Sequence, residues 1–183
     1  MNFVEPIRDI TAVQDIADYL REKNEKYYIM YLTGIYSGLR ISDILRLKVR
    51  DVRGKDKIKV REQKTGKEKA FPINKKLAAA YEQYCEGMKD YEYLIPSDRA
   101  FNKAISREYA YRIMHEAGER FGLYNLGTHT LRKTFGYHFY TQTKDVVLLM
   151  RIFNHTSQAQ TLRYIGIEQT TIDEAIKRFN YGF

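Results

Sequence analysis

The sequence has little of what a disulfide-stabilised or membrane protein needs. Cys85 is the only cysteine among 183 residues, which excludes an internal disulfide and fits a reducing compartment. The longest purely aliphatic run, residues 146–150, is far shorter than the ~20 residues that span a bilayer. The first ten residues include an acid and have no apolar stretch, so they do not resemble a signal peptide. We therefore expect a cytoplasmic protein.

Several catalytic motifs are also missing from the sequence. It has no HExxH, paired CxxC or Asp-rich cluster, which leaves a zinc or two-metal site unsupported. It has no glycine-rich nucleotide-binding motif and no GxSxG elbow. We expect no cofactor and no metal. The candidates that remain are arginine, lysine, histidine and tyrosine, which suit phosphoryl transfer without a metal.

The charge of the chain is biased toward the basic side. Lysine and arginine number 31 against 23 acids, a net charge of +8. Such a surplus favours a polyanionic partner, most often nucleic acid. An ordinary soluble surface remains an alternative on charge alone.

Hydrophobic periodicity predicts a mainly α fold with one small antiparallel β-hairpin. We expect one catalytic domain over residues 1–183, with a leader at 1–10 and a mobile C-terminal tail helix within 167–183. Alternating residues predict strands at 57–61 and 69–73, joined by a turn at 64–67. The predicted helices cover residues 11–23, 25–39, 41–47, 75–88, 107–121, 128–141, 145–153, 157–164 and 172–179.

Two patterns in the first half carry candidate chemistry. In GLRISDIL, Gly38 permits a sharp turn, Arg40 stands at a helix start, and Asp43 lies on the same helical face. A surface ion pair is the simpler interpretation of this arginine and aspartate. Lys64 is predicted at the hairpin tip, where a solvated turn lysine is the simpler alternative.

Two further patterns lie in the second half. His129 and Arg132 share one face of a helix that Thr128 is predicted to cap, so they stand near a helix N-terminus, which favours anions. A basic helix face is the alternative. His155 follows a short apolar helix, and Tyr164 ends the next one. Tyr164 is not identifiable alone, because the chain has 16 tyrosines.

Taken in order, these patterns resemble the tyrosine recombinase family, which includes the phage integrases. The matching segments are GLRISDIL, QKTG, HTLRKTFG, FNHTS and TLRYIGI, and the resemblance covers residues 28–166. It implies the recombinase catalytic-domain fold and DNA cleavage through a 3′-phosphotyrosine intermediate without metal or ATP. Lys133 stands where many members have His, and Asn154 where many have Gly.

The resemblance also implies a role for each matching residue. Two arginines would clamp the phosphate, a hairpin lysine would act as the acid, two histidines would assist, and one tyrosine would be the nucleophile. In that order these are Arg40 and Arg132, Lys64, His129 and His155, and Tyr164. Asp43 would support Arg40 from behind.

The implied partners are double-stranded DNA and further copies of the chain. The resemblance further implies a tetramer on DNA and accessory DNA-bending or directionality proteins. It also implies that the C-terminal segment is exchanged between subunits. No core-binding domain is recognised in the sequence. Tyr181 is a rival for the nucleophile, but it lies outside the motif. Two other functions stay open: a catalytically silent DNA-binding or regulatory module, and DNA relaxation of the type IB topoisomerase kind.

Overall fold

The computed structural model describes residues 4–61, 66, 68–167 and 176–182. These residues form eight α-helices, one 3-10 turn and a two-stranded antiparallel sheet. The helices are α1 (Ile10–Lys23), α2 (Glu25–Ser37), α3 (Ile41–Ile44), α4 (Lys75–Tyr84), α5 (Arg107–Arg120), α6 (Thr128–Thr143), α7 (Val146–Phe153) and α8 (Gln158–Tyr164). The strands are β1 (Lys57–Arg61) and β2 (Glu68–Pro72), and Val49–Asp51 forms the 3-10 turn. The predicted mainly helical architecture is confirmed.

Polar side chains fix the starts of most helices. Asn74 accepts from the backbone N–H of Leu77 at 2.8 Å, and Ser106 accepts from that of Tyr109 at 3.1 Å, as the sequence predicts. The predicted cap of α6 is wrong by one residue. Gly127 is the N-cap, and its N–H donates to the buried Thr130 hydroxyl. Thr128 is instead the first residue of the helix.

Helix α2 occupies the centre of the fold, as its many-sided apolar pattern predicts. It packs against α1, α4 and α6, and Ile29, Met30, Tyr31 and Leu32 along it are all buried. The helix ends at Gly38, which adopts the left-handed conformation with φ 64°. Residues that follow this turn are therefore held against the main core.

Helices α3 and α4 end three and four residues earlier than predicted, and long-range contacts explain both. Helix α3 ends at Ile44, and a turn at residues 45–46 leads to Leu47, whose carbonyl accepts from the N–H of Leu94. Helix α4 ends at Tyr84. The Arg53 guanidinium donates to the carbonyls of Cys85 and Met88, which takes the place of further helical bonds.

The β-hairpin has the alternation expected of a half-buried ribbon. The register pairs Lys57 with Pro72 and Arg61 with Glu68. Ile58 is fully buried, whereas the lysines and arginine at alternate β1 positions are exposed. The predicted tip residue, Lys64, lies outside the described residues.

Helices α6, α7 and α8 enclose a small second core. Leu149, Phe153 and Ile165 are its fully buried members, and Phe135 and Tyr164 pack against them. This cluster is separate from the main core, and it supports the end of α8. None of the helices in the described part of the chain has both the length and the apolar character of a bilayer-spanning segment.

Candidate active site

The Arg132 guanidinium is the most buried charge of the candidate site. Its side chain is 2% exposed; Nη1 donates to the Gly38 carbonyl at 2.6 Å, and Nη2 donates to the Phe153 carbonyl at 3.0 Å. The cation also lies 4.2 Å from the centroid of the Phe153 ring. Arg132 therefore joins three segments: α6, the turn before α3 and the end of α7. Its position depends on all three.

Arg40 is delivered to the site by the turn between α2 and α3. It is the N-cap residue of α3, with an extended backbone, and its carbonyl accepts from the N–H groups of Asp43 and Ile44. Gly38 makes this turn possible, because φ is 64° and a Cβ there would collide with the ring of Phe135. The predicted helix start at Arg40 is confirmed.

His155 stands just after α7 with a defined orientation. Its Nδ1 lies 3.1 Å from the Thr161 hydroxyl, and that hydroxyl donates to the Ser157 carbonyl at 3.0 Å. With its proton so directed, the hydroxyl accepts from Nδ1–H. In the neutral ring, Nε2 is then the nitrogen without a proton. This arrangement gives Nε2 the chemistry of a proton acceptor.

Tyr164 ends α8 and lies among the candidate groups. Its ring makes edge contacts with His155, at a centroid distance of 5.2 Å, and with Phe153, at 5.6 Å. Burial raises the pKa of the Tyr164 phenol. The charges of Arg132 and Arg40, and a hydrogen bond from Arg132, act in the opposite direction. The positive charges of both arginines therefore favour the ionised form of the phenol.

A second glycine lets α6 approach the tyrosine helix. A Cβ on Gly136 would lie 2.6 Å from Ile165 and 2.8 Å from Phe153, both closer than real side-chain atoms pack. Gly136 therefore allows the end of α8 to lie directly on α6. Gly136 lies within the HTLRKTFG segment, where nothing in the local pattern indicates this close approach.

Lys133 is a further residue whose position the sequence did not indicate. It is buried, its ammonium donates to the Val4 carbonyl at 2.7 Å, and it lies 5.2 Å from the centroid of the Tyr164 ring. Burial lowers the pKa of Lys133, and the charge of Glu5 partly offsets this. Nothing in the local pattern distinguishes this lysine from a surface lysine, because its burial results from the docked N-terminal segment.

The N-terminal segment, residues 4–8, crosses α6 and reaches α8. The Ile7 N–H donates to the Thr134 hydroxyl at 2.9 Å, and the Ile7 carbonyl lies 2.9 Å from Nε2 of His138. The Arg8 guanidinium donates to the Gly166 carbonyl at 3.1 Å. This part of the predicted leader is therefore attached beside the tyrosine helix.

The remaining predicted residues lie at different depths. His129 is exposed on the first turn of α6, one turn before Arg132. Asp43 is 3% exposed and lies one turn after Arg40 on α3. The structure thus brings together two arginines, His155 and Tyr164. The hairpin lysine, Lys64, falls outside the described residues.

The rival tyrosine has a different environment. Tyr181 is 77% exposed, and its ring contacts Phe179 at a centroid distance of 4.8 Å. The geometry therefore favours Tyr164 as the tyrosine associated with the arginines.

The arrangement suits an anion with tetrahedral oxygens. Two guanidinium groups, each with five N–H donors, border a half-buried phenol and an oriented imidazole. Fixed cations of this kind stabilise negative charge that develops on a phosphate during attack.

The chain resembles known proteins over most of its length. Residues 9–170 match the family model described as the phage integrase family. The chain is 48% identical over 179 residues to the probable integrase/recombinase YoeC of Bacillus subtilis (strain 168), and the match covers 98% of each protein.

Two solved structures share the fold. The crystal structure of XerA recombinase superposes with a TM-score of 0.77 at 21% identity, covering 98% of this chain and 68% of that one. The post-cleavage complex of the XerH site-specific recombinase with its palindromic difH substrate gives 0.77 at 16% identity, covering 96% of this chain and 52% of that one. This chain therefore spans only part of those two recombinases. With a family model that matches most of its length, the chain belongs to the phage integrase family, which is a family of tyrosine recombinases.

Proposed function

We propose that the chain is a site-specific DNA recombinase that cuts and rejoins double-stranded DNA through Tyr164. The single observation that carries this proposal is the position of Tyr164. Its phenol lies close enough to Arg132 and Arg40 that the charges of both arginines favour its ionised form. A DNA phosphodiester is an anion that repels nucleophiles, so a tyrosine nucleophile needs fixed cations beside it.

The proposed cleavage step forms one bond and breaks another. The Tyr164 oxygen attacks the phosphorus, and the bond to the 5′ oxygen breaks, leaving a 3′-phosphotyrosyl ester and a 5′ hydroxyl. Arg40 and Arg132 bind the non-bridging oxygens. A 5′ hydroxyl from another strand then reverses the step, so rejoining needs no ATP and no metal.

Two proton transfers accompany this exchange. His155 accepts the phenol proton in the proposal, because its ring packs on Tyr164 and Thr161 directs its Nδ1. Lys64 gives the departing 5′ oxygen its proton, which is a role that rests on the family motif. His129 supplies a further hydrogen-bond donor at the start of α6. Asp43 holds Arg40 in position without contacting the DNA.

We further propose that the enzyme acts in the cytoplasm as a tetramer on DNA. The C-terminal segment would pass between subunits, and accessory DNA-bending or directionality proteins would select the outcome of the reaction. The exposed aromatic side chains of Phe179 and Tyr181 support an intermolecular contact for this segment.

A covalent-trapping experiment tests the proposed function. The purified chain is incubated with a library of nicked duplexes that carry random sequence around the nick, and protein-linked DNA is recovered under denaturing conditions. Wild-type protein and Tyr181→Phe should form the adduct, and Tyr164→Phe should not. Binding without any adduct would support the silent module instead. Relaxation of plasmids without sequence preference would support the topoisomerase-like alternative.

A further inference from the structure

A pocket beside the candidate active site has a basic rim. It has a volume of about 150 Å³ and lies between the α3 region and β1. Arg46, Lys59 and Arg61 supply its basic side chains. We call it the β1 pocket.

Two of these basic groups have their charge available for a ligand. Arg46 and Lys59 are exposed, and within the described part of the chain neither side chain forms a hydrogen bond or an ion pair. The Arg61 Nε donates to the Gly66 carbonyl at 3.0 Å, which uses one of its five donors.

Two acids also line the β1 pocket, but they form its wall. Asp43 is 3% exposed, so its carboxylate lies behind the rim. The Asp51 carboxylate accepts from the Lys48 N–H at 2.8 Å, which fixes it on the 3-10 turn. The exposed groups of the pocket are therefore the positive ones, and the ligand they favour is an anion.

The β1 pocket shares residues with segments that carry proposed catalytic residues. Asp43, in its wall, lies three residues after Arg40 on α3, and Arg61, on its rim, lies three residues before Lys64 at the proposed hairpin tip. The pocket is thus built from the helix that Arg40 caps and from the strand that precedes Lys64 in sequence. A DNA strand carries one phosphate for every 3.4 Å of helix rise, so the neighbours of a bound phosphate lie close to it.

We propose that the β1 pocket binds a backbone phosphate of the DNA strand, adjacent to the phosphate that is cleaved. Arg46, Lys59 and Arg61 are its donors. This inference rests on the proposed function, because it takes the DNA strand to be bound by Arg40 and Arg132. Such a contact sets the register of the strand and carries no sequence information.

The salt dependence of DNA binding tests this proposal. Affinity for a duplex is measured by fluorescence anisotropy between 50 and 200 mM salt, with every protein carrying Tyr164→Phe so that binding is separated from cleavage. Losing one phosphate contact should reduce the slope of log K against log salt by about 0.9. The double variant Arg46→Gln/Lys59→Gln should show this reduction. Between the lowest and the highest salt concentration, the factor by which its affinity decreases should therefore be about 3-fold smaller than the factor for the parent.

A matched control variant separates a site from general charge. Lys57 is exposed on the same face of β1 but does not line the pocket. Lys57→Gln should leave the slope unchanged. An unchanged slope in the double variant, or an equal reduction in Lys57→Gln, would overturn the phosphate site. Circular dichroism verifies that each variant is folded, and the single variant Lys59→Gln, on an exposed position, replaces the double variant if that does not fold.

The outcome is distinguishable from a failure of the proposed function. Covalent trapping with the wild-type chain tests the proposed function separately, because it detects cleavage and not the salt dependence of binding. A reduced slope without any adduct from the wild-type chain would keep a DNA-backbone contact at the β1 pocket, but it would reject the recombinase and the position of that contact beside a cleaved phosphate. An adduct from the wild-type chain together with an unchanged slope in the double variant would keep the recombinase and reject the phosphate site.

Discussion

The Arg132 guanidinium donates a 2.6 Å hydrogen bond to the carbonyl oxygen of Gly38. This bond links the arginine of α6 to the turn that delivers Arg40, so the two proposed phosphate clamps are positioned by one shared contact. Changes in the turn should therefore affect both clamps together.

The first prediction concerns Gly38→Ala. A Cβ at this left-handed position collides with Phe135, so the substitution combines backbone strain with overpacking. Gly54→Ala is the matched control, because Gly54 has φ 62° but nothing within 4 Å of its Cβ position. We expect Gly54→Ala to cost about 1 kcal/mol of unfolding free energy, and Gly38→Ala to cost a further ~1–3 kcal/mol. Urea unfolding measures both, and equal costs would contradict the close approach.

The second prediction concerns Arg132→Lys. An ammonium keeps the charge but cannot reproduce the two bonds to the Gly38 and Phe153 carbonyls together with a fork toward the phosphate. We expect the rate of adduct formation to fall by about 10² to 10³. Arg163→Lys, at an exposed position next to Tyr164, should be close to wild type. Single-turnover cleavage measures both, and a wild-type rate in Arg132→Lys would reject the clamp.

The third prediction concerns the orientation of His155. Thr161→Val removes the hydroxyl that accepts from Nδ1 and retains the shape of the side chain. We expect cleavage to slow about 10-fold, which corresponds to ~1.4 kcal/mol, as for one lost hydrogen bond. Thr161→Ser should restore the rate. Nitrogen NMR of His155 should show the Nδ1–H tautomer lost in Thr161→Val. An unchanged tautomer would indicate that the threonine has a purely structural role.

The fourth prediction concerns alkaline pH. Burial raises the pKa of Tyr31, Tyr81 and Tyr84, and burial with the Tyr109 hydrogen bond raises that of Tyr27 to about 12. A raised folded-state pKa gives stability that is complete below the unfolded value of ~10 and is lost as the pH rises toward the folded value.

The urea midpoint should therefore be steady up to about pH 10 and fall above it. Tyr84→Phe should make this fall shallower than in wild type, because one phenol fewer releases its proton on unfolding. An equally steep fall in Tyr84→Phe would show that other groups determine alkaline unfolding.

Local signals in the sequence predicted most of the fold. Strand β1 has its predicted limits, and Asn74 caps α4 as expected, because alternation and capping depend on neighbours in sequence. The end of α4 was predicted four residues too late. Its termination depends on Arg53, which lies more than thirty residues away along the chain.

The sequence indicates which residues belong to the candidate site, but it does not indicate the contacts between them. The resemblance of FNHTS and TLRYIGI to the family motifs indicated His155 and Tyr164, whereas their ring contact and the Thr161 bond require the folded α7 and α8. The burial of Lys133 under the N-terminal segment has no local signal at all, because it results from a hydrogen bond that spans most of the chain.

The most direct test of the account is to identify the tyrosine that becomes linked to DNA. Trypsin should release residues 164–177 of the trapped adduct as a peptide with one tyrosine, Tyr164, while Tyr181 falls in the peptide 179–183. After nuclease digestion, mass spectrometry of these peptides should locate the nucleotide on Tyr164, attached through its 3′ phosphate. A nucleotide on Tyr181, or on any other tyrosine, would contradict the central claim.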